Sequence, residues 1–243
     1  MMAVLDNFLF VGLPYASLLI FLVGTIYRYK ATKFNYSSLS SQFLEGGNLY
    51  WGSVPFHWGI LFLFFGHLIA FVIPHSVLAF NSEPLRLLIL EIVAFIFGLI
   101  TLFGLIMLLA RRISNPRLKP VTNWMDITIE GLLITEVILG ILVAYTARWG
   151  SSWFAAVLTP YLYSIFLLQP DIAAVSAMPL LVKLHIIGAY LIFLLIPFSR
   201  LVHLLVVPLH YIWRPYQRVL WNWSRRKVRN PATDWTITKP ENN

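Results

Sequence analysis

The feature that most constrains this chain is a series of apolar runs, each long enough to cross a lipid bilayer. A helix needs roughly 20 apolar residues to span the hydrocarbon core, and five runs meet this length. They cover residues 8–27, 54–73, 86–110, 125–146 and 182–207. Hydrophobic residues make up 59% of the chain and charged residues 12%, against roughly half and a quarter in a soluble domain. The sequence therefore predicts an all-α, multi-pass integral membrane bundle of five transmembrane helices in the cell (inner) membrane.

The distribution of basic residues predicts the orientation of this bundle. Connections rich in Lys and Arg remain in the cytoplasm. The connections 28–53 and 111–124 are basic, whereas 74–85 and 147–181 are nearly free of basic residues. This alternation fits five spans and predicts an N-terminus outside and a C-terminus in the cytoplasm. A sixth apolar run at 153–168 is too short to span, so we expect it to lie in the interface or to pack as a re-entrant piece.

The net charge predicts contacts with lipid. A formal charge of +8 would suggest nucleic acid in a soluble protein, but basic loops that set topology and meet anionic lipid explain it here. We therefore expect membrane lipid, and no nucleic acid, among the partners. Residues 1–212 are predicted to form the membrane domain, and residues 213–243 a basic, Trp-rich cytoplasmic tail that anchors at the interface or docks a partner.

Four histidines lie inside the predicted spans, two in the second and two in the fifth. Histidine in a membrane span is costly, so each one is a functional-site hypothesis by default. His57 and His67 are separated by about 15 Å along a helix and by roughly 80° around it. His185 and His203 are separated by about 27 Å and five whole turns. Because metal–imidazole bonds are only about 2 Å long, each metal site must be shared between the two spans.

The antiparallel course of the two spans predicts which histidines meet. His57 pairs with His203 toward the cytoplasm, and His67 pairs with His185 toward the outer face. The two separations differ, and a kink at Pro197 would absorb part of the difference. The chain has no cysteine, which excludes disulfides, Cys-ligated zinc or iron–sulfur clusters, and c-type haem attachment. Two separate two-histidine sites fit two b-type haems, with both axial positions filled, used for electron transfer.

Small, basic and acidic residues near the histidines are further candidates. Gly59, Gly66 and Gly188 would let a flat macrocycle approach the helix backbones, although glycine also serves close helix packing. Haem propionates could pair with Arg111, Arg112 and Arg200, although positive-inside residues explain the first two equally well. The fourth span contains three acidic residues, whose burial in a membrane is energetically costly: Asp126, Glu130 and Glu136. Both a structural role and a role in proton transfer remain open for them. His210, at the inner interface, is best explained as structural.

Several short motifs have a specific order and spacing across nearly the whole chain. They are Tyr27-Arg-Tyr, Ser40-Ser-Gln-Phe-Leu, Phe56-His-Trp-Gly-Ile-Leu, Phe65-Gly-His, Pro74-His, Arg111-Arg-Ile-Ser-Asn-Pro-Arg, Lys183-Leu-His, Pro197-Phe-Ser-Arg-Leu-Val-His and Val207-Pro. With these motifs the chain resembles the gamma subunits of membrane-bound respiratory nitrate reductase, which are five-span dihaem b-type cytochromes.

The resemblance implies a role for each candidate ligand. It implies that His57 and His203 ligate the haem nearer the cytoplasmic face, and that His67 and His185 ligate the outer haem beside a menaquinol or ubiquinol site. In that family a lysine at the start of span three helps to hold the quinol. The nearest basic residue here is Arg86, which would donate a hydrogen bond to a quinone oxygen because arginine does not readily give up its proton. The expected cofactor-binding set also includes Gly66 and Arg112. His75, near the outer site, is a candidate for quinol proton transfer.

The resemblance also implies a function and its partners. Quinol would be oxidised near the outer face, and electrons would pass through two haems b to a cytoplasmic iron–sulfur beta subunit and a molybdenum alpha subunit that reduces nitrate. The alternatives keep the scaffold but serve a sulfur-compound or heterodisulfide reductase, or run toward quinone in nitrite oxidation. From other classes, a haemless anchor and a His-lined metal transporter are also considered. The transporter predicts histidines at one depth, whereas these four lie at two.

Overall fold

The structure, a computed structural model, describes residues 2–31, 41 and 44–206. Within these residues, five helices are long and apolar enough to cross a membrane by length and composition. They are span 1 (Val4–Ala31), span 2 (Gly47–Val72), span 3 (Pro84–Ser114), span 4 (Trp124–Thr146) and span 5 (Leu180–Phe198). The predicted all-α bundle of five spans is confirmed. Most of the Ser40–Leu44 motif, His210, the Val207-Pro motif and the predicted tail lie outside the described residues.

Shorter elements complete the described chain. Span 1 contains a π-helical turn, Phe8–Gly12. A short helix, Pro74–Asn81, joins spans 2 and 3, and a 3₁₀ turn, Lys119–Val121, precedes span 4. Between spans 4 and 5 the chain forms short helical pieces, which are Gly150–Trp153, Phe154–Leu158, Thr159–Phe166 and Ala173–Ser176. A further 3₁₀ segment, Arg200–Val206, follows span 5.

Span 4 begins where its sequence supplies a complete capping box. The Asn123 side chain accepts a hydrogen bond from the Asp126 N–H at 2.8 Å, and the Asp126 carboxylate accepts one from the Asn123 N–H at 3.1 Å. These two bonds satisfy backbone donors that would otherwise lack partners at the first turn of a helix. The capping box therefore fixes Asp126 at the entrance of span 4.

Glycines bring the backbones of spans 2 and 3 unusually close together. A Cβ built at Gly104 would lie 2.5 Å from the backbone nitrogen of Phe56. A Cβ built at Gly59 would collide with the Thr101 side chain and lie 3.0 Å from the Phe97 carbonyl oxygen. Small residues are the usual means of close packing between membrane helices. The expectation that Gly59 makes room for a macrocycle is therefore wrong, because span 3 fills the space beside it.

The five spans form an open series in which the two histidine-bearing helices are kept apart. The most extensive contact is between spans 2 and 3, and smaller contacts join span 3 to span 4, span 4 to span 5, and span 5 to span 1. Spans 2 and 5 are not among the extensively packed pairs of the described bundle. His67 of span 2 instead faces His185 of span 5 across a ring-centroid distance of 6.4 Å.

Span 5 ends earlier than predicted, at a break in the backbone. The α-helix stops at Leu195, a 3₁₀ turn covers Ile196–Phe198, and Ser199 is extended with φ −112° and ψ 177°. Proline cannot donate the helical hydrogen bond, which favours a tight turn at this point. Arg28 of span 1 donates to the carbonyl oxygens of Pro197 at 2.6 Å and of Ser199 at 2.7 Å. The predicted end of the span at residue 207 is thus wrong, since the span ends at Phe198, next to the predicted kink at Pro197, and His203 lies on the separate 3₁₀ segment.

The sixth apolar run forms a cap over one end of the bundle. Its tyrosines donate to backbone carbonyl oxygens of two spans, Tyr161 to Phe10 at 2.9 Å and Tyr163 to Phe71 at 2.5 Å. A buried cluster joins this run to spans 1, 4 and 5; it comprises Phe10, Val143, Leu158, Tyr161, Ile165, Val175 and Val182. The run is not among the helices long enough to span, as predicted. We call this side the capped end.

Candidate functional site

The structure brings the four histidines together as two pairs between span 2 and the chain of span 5. The ring centroids of His57 and His203 are 6.2 Å apart with the planes at 61°. Those of His67 and His185 are 6.4 Å apart with the planes at 53°. Phe154, in the cap, lies edge-on to His67 at 5.5 Å. The second pair is therefore the one nearer the capped end.

These ring separations suit a metal held between two imidazoles. A metal bound linearly at about 2.0 Å from each nitrogen places the ring centroids roughly 6.3 Å apart, because each centroid lies a little over 1 Å behind its nitrogen. Both pairs match this value. The ring spacing of each pair is therefore compatible with two imidazole ligands of one metal group.

The number of protein ligands distinguishes the kinds of metal group that fit. Within the described residues, no group of three or more His, Cys, Asp or Glu side chains is arranged to hold a bare metal ion. A zinc site needs three or four protein ligands, whereas haem brings four nitrogens of its own and needs two axial ligands. The donor set of each pair, two imidazoles from two elements, therefore fits the needs of haem.

Three of the four histidines have their tautomer set by a backbone carbonyl oxygen. Nδ1 of His57 lies 2.7 Å from the Ser53 oxygen, Nδ1 of His67 lies 2.8 Å from the Leu63 oxygen, and Nδ1 of His203 lies 2.6 Å from the Arg200 oxygen. A carbonyl oxygen can only accept, so each Nδ1 bears the proton. Nε2 is then unprotonated and available to a metal.

His185 differs, because its Nδ1 faces a carboxylate. Nδ1 lies 3.0 Å from Oε1 of Glu136, on span 4. The distance is that of an ion pair, although the contact does not have the geometry of a hydrogen bond: Nδ1 of His185 and Oε2 of Glu136 are buried without a hydrogen-bond partner. Glu136, one of the three acids of span 4, thus faces a polar partner within the bundle. An acid in the middle of an apolar span signals that some polar partner is needed, but the sequence does not indicate that this partner is His185.

The glycines expected to admit a macrocycle have different surroundings. No atom lies within 4 Å of a Cβ built at Gly66, so the space at this residue is open. At Gly188 the same construction would collide with the Glu136 carboxylate. Gly66 thus fits the predicted role in the cofactor site, which stays a prediction. Gly188 instead accommodates a neighbouring acid.

The arginines expected near propionates are held by carboxylates at the end opposite the cap. Arg111 is buried and pairs with Glu45 at 2.5 Å. Arg112 forms ion pairs with Glu130 at 3.0 Å and with Asp126 at 3.4 Å. Arg200 donates to both carboxylate oxygens of Asp126, at 2.6 and 2.8 Å. With Arg28 these residues define the arginine end of the bundle. Their predicted pairing with propionates stays a prediction, and ion pairs within the protein already account for their positions.

Glu45 links spans 2 and 3 at the arginine end. Its Oε1 accepts the Asn48 N–H at 2.7 Å, at the first turn of span 2, while its other oxygen meets Arg111 of span 3. The Asn48 N–H, followed by the Arg111 guanidinium, holds the pKa of this carboxyl below its usual value. The ionised Glu45 therefore caps the first turn of span 2 and balances the charge of Arg111 in span 3.

The remaining predicted residues lie at the start of span 3 and in the turn before it. Arg86 is exposed, with its guanidinium carbon 5.7 Å from the centroid of the Phe80 ring. His75 is exposed on the helix Pro74–Asn81. The predicted quinol contacts of both residues stay predictions.

Comparison with known proteins decides the family. The model of the nitrate reductase gamma subunit family matches residues 6–222 of the chain. The chain belongs to this family. It is 32% identical to the nitrate reductase gamma chain of Bacillus subtilis (strain 168) over 84% of this chain and 93% of that protein. It is 30% identical to the respiratory nitrate reductase 1 gamma chain of Escherichia coli (strain K12), over 90% of this chain and 98% of that protein.

Family membership assigns the chain to a class of complex. Nitrate reductase gamma subunits are membrane subunits of a multi-subunit oxidoreductase. The five apolar helices agree with a multi-pass membrane protein. Membership of such a complex implies that catalytic partner subunits accompany this chain.

Proposed function

We propose that this chain oxidises quinol near the outer membrane face and passes the electrons, through two b-type haems, to a cytoplasmic nitrate reductase. The observation that carries the proposal is the match of both histidine pairs to the spacing of a bis-imidazole metal site. Family membership supports the same cofactor, because gamma subunits of nitrate reductase bind haem. A haem held by each histidine pair would supply one-electron transfer chemistry.

The protein contributes ligands, space and orientation. His57 with His203 would hold one haem, and His67 with His185 the other. The carbonyl-bound Nδ1 atoms keep the rings in the form that ligates through Nε2. Gly66 leaves open space beside His67.

The quinol site is assigned to the capped end, on the outer side. The basic connections at the arginine end favour a cytoplasmic position for that end. The His67–His185 pair then lies toward the outer face. Arg86 would donate a hydrogen bond to a quinone oxygen, and His75 would accept a quinol proton. An iron–sulfur beta subunit and a molybdenum alpha subunit would dock at the arginine end.

Reduced-minus-oxidised spectra of the purified complex test this proposal. Addition of a menaquinol or ubiquinol analogue should reduce two b-type haems per chain. In His67→Ala we expect one haem per chain and loss of reduction by quinol. In His203→Ala we expect one haem that quinol still reduces and that no longer passes electrons to nitrate. Absence of haem bands from the complex, or full haem content in both variants, would refute the proposal.

A further inference from the structure

Glu136 has a different kind of partner from the two acids nearer the start of span 4. Asp126 and Glu130 pair with arginines at the arginine end. Glu136 pairs with the imidazole of His185 at 3.0 Å, and the two side chains are 12% and 28% exposed. An acid at this depth is costly, so a specific contact must compensate its burial. That contact is with a predicted haem ligand and not with an arginine.

The backbones of spans 4 and 5 are shaped to admit this pair. The carboxylate of Glu136 lies over Gly188, one turn beyond His185, where any Cβ would collide with it. Reciprocally, the ring of His185 lies over Gly140, one turn beyond Glu136, where a built Cβ would be 3.1 Å from Cε1. Each member of the pair therefore has a glycine opposite it on the other helix. Because a glycine on each helix makes room for the side chain of the other, the packing of spans 4 and 5 is adapted to this contact.

The acceptor opposite His185 differs from the acceptors of the other three histidines. Those three face carbonyl oxygens of their own chain segment, within four residues. A carboxylate beside a metal-bound histidine fixes the tautomer in the same way but raises the basicity of the ligand further. It also adds a negative charge close to the iron, and in a poorly solvated interior such a charge acts strongly. Ferric iron, the more positive state, is favoured.

We propose that Glu136 is a positioning residue that presents His185 to the iron through Nε2 and lowers the reduction potential of the haem on the His67–His185 pair. The inference rests on the proposed function, since it requires haem at that pair. It predicts an asymmetry between the sites. One haem has a charged acceptor behind an axial ligand, whereas the other has carbonyl acceptors behind both.

A redox titration of the intact complex tests the inference with Glu136→Gln, which keeps the volume of the side chain and removes its charge. The haem on the His67–His185 pair is identified as the one lost in His67→Ala. At a fixed ambient potential, we expect its ratio of reduced to oxidised form to rise about tenfold, which is about 59 mV for a one-electron couple. The low-spin ferric EPR signal of the same haem should shift. The other haem should change less.

Two control variants separate a local effect from a general one. Glu136→Asp keeps the charge and should return the potential toward the wild-type value. Glu130→Gln removes a buried charge from the same helix, but at a carboxylate that faces Arg112, and should leave the His67–His185 haem unchanged. If Glu136→Gln cannot retain this haem while Glu136→Asp can, the positioning role is supported.

The negative outcomes are distinguishable from failure of the proposed function. Two haems with unchanged potentials in Glu136→Gln overturn the inference and leave the dihaem proposal intact. An equal shift in Glu130→Gln also overturns it, because the effect would then be one of general charge. A wild-type complex without haem overturns the proposed function itself.

Discussion

The space at Gly66 in the described bundle could hold a side chain, but this residue has none. No heavy atom lies within 4 Å of a Cβ built there. The other glycines of span 2 face neighbouring atoms, since a Cβ at Gly52 would lie 2.9 Å from the Leu108 side chain and one at Gly59 would collide with Thr101. Open space directly before His67 is what a bound flat group would use.

A leucine at Gly66 should therefore block the cofactor and spare the fold. In Gly66→Leu we expect about one haem per chain in place of two, because the side chain occupies the space beside His67. The amount of chain in the membrane should match the wild type, since the leucine meets no protein atom near its Cβ. Haem content per chain, measured by absorbance after extraction, is the readout. Gly66→Ala is the matched control and should retain more haem, and two haems in both variants would contradict this role.

Single residues divide clearly into those that sequence could predict and those that it could not. The histidines could be predicted because a titratable group in a span is rare and costly, and their pairing followed from counting residues along antiparallel helices. The Glu136–His185 contact could not, because a helix that is apolar all round does not show which face meets its neighbour. For the same reason Gly59 and Gly188 were assigned to a macrocycle when they face Thr101 and Glu136.

At the scale of elements, hydropathy predicts where a span exists better than where it ends. Each of the first four spans covers its predicted apolar run, except that span 2 ends one residue early. The helices extend beyond these runs by up to seven residues, at the start of span 2. Span 5 differs, because the apolar sequence continues beyond the point where the helix ends. Ser199 has extended backbone, and a 3₁₀ segment follows it. At this break the carbonyl oxygens of Pro197 and Ser199 accept hydrogen bonds from Arg28 of span 1. The hydropathy of span 5 alone cannot indicate such a break, because the stabilising residue belongs to another span. The break also removes the need to fit a continuous helix of about 27 Å between His185 and His203.

The contact between spans 2 and 3 should be the most sensitive to added volume. Gly104→Ala would place a Cβ 2.5 Å from the backbone nitrogen of Phe56, and a backbone atom cannot turn aside as a side chain can. Overpacking of this kind costs about 1–3 kcal/mol. We expect a lower thermal unfolding temperature in detergent.

Gly131→Ala is the matched control for the span 2–span 3 contact. A Cβ at Gly131 meets nothing within 4 Å, and alanine is favoured over glycine inside a helix by about 0.5–1 kcal/mol. The unfolding temperature should stay the same or rise. Equal losses in the two variants would show that the glycines of spans 2 and 3 do not set the distance between these helices.

At the scale of the whole molecule, the two ends of the described bundle are chemically unlike. One end has Arg28, Arg111, Arg112 and Arg200, with their carboxylate and carbonyl partners. The other end is closed by short helices held through tyrosine hydroxyls. The charge alternation that predicted five spans therefore corresponds to a physical division of the bundle. It predicts that the arginine end faces the cytoplasm.

The absence of cysteine makes this orientation directly measurable. Ser82 and Ser114 are exposed at opposite ends of span 3, and a cysteine introduced at either position would be the only one in the chain. In right-side-out vesicles, a membrane-impermeant maleimide should label Ser82→Cys at once. It should label Ser114→Cys only after the membrane is permeabilised. The reverse pattern would move the quinol site to the cytoplasmic side and refute the proposed direction of electron transfer.

The hydrogen bonds from Nδ1 of His57, His67 and His203 also bear on the order of biogenesis. Each bond closes within a single turn of its own segment, so it needs no contact between helices. A newly inserted chain can therefore hold these three rings in ligating form before the bundle assembles. His185 depends on a second helix for its acceptor, so its orientation follows the docking of span 4. The His67–His185 pair is therefore complete only once span 4 has docked beside span 5.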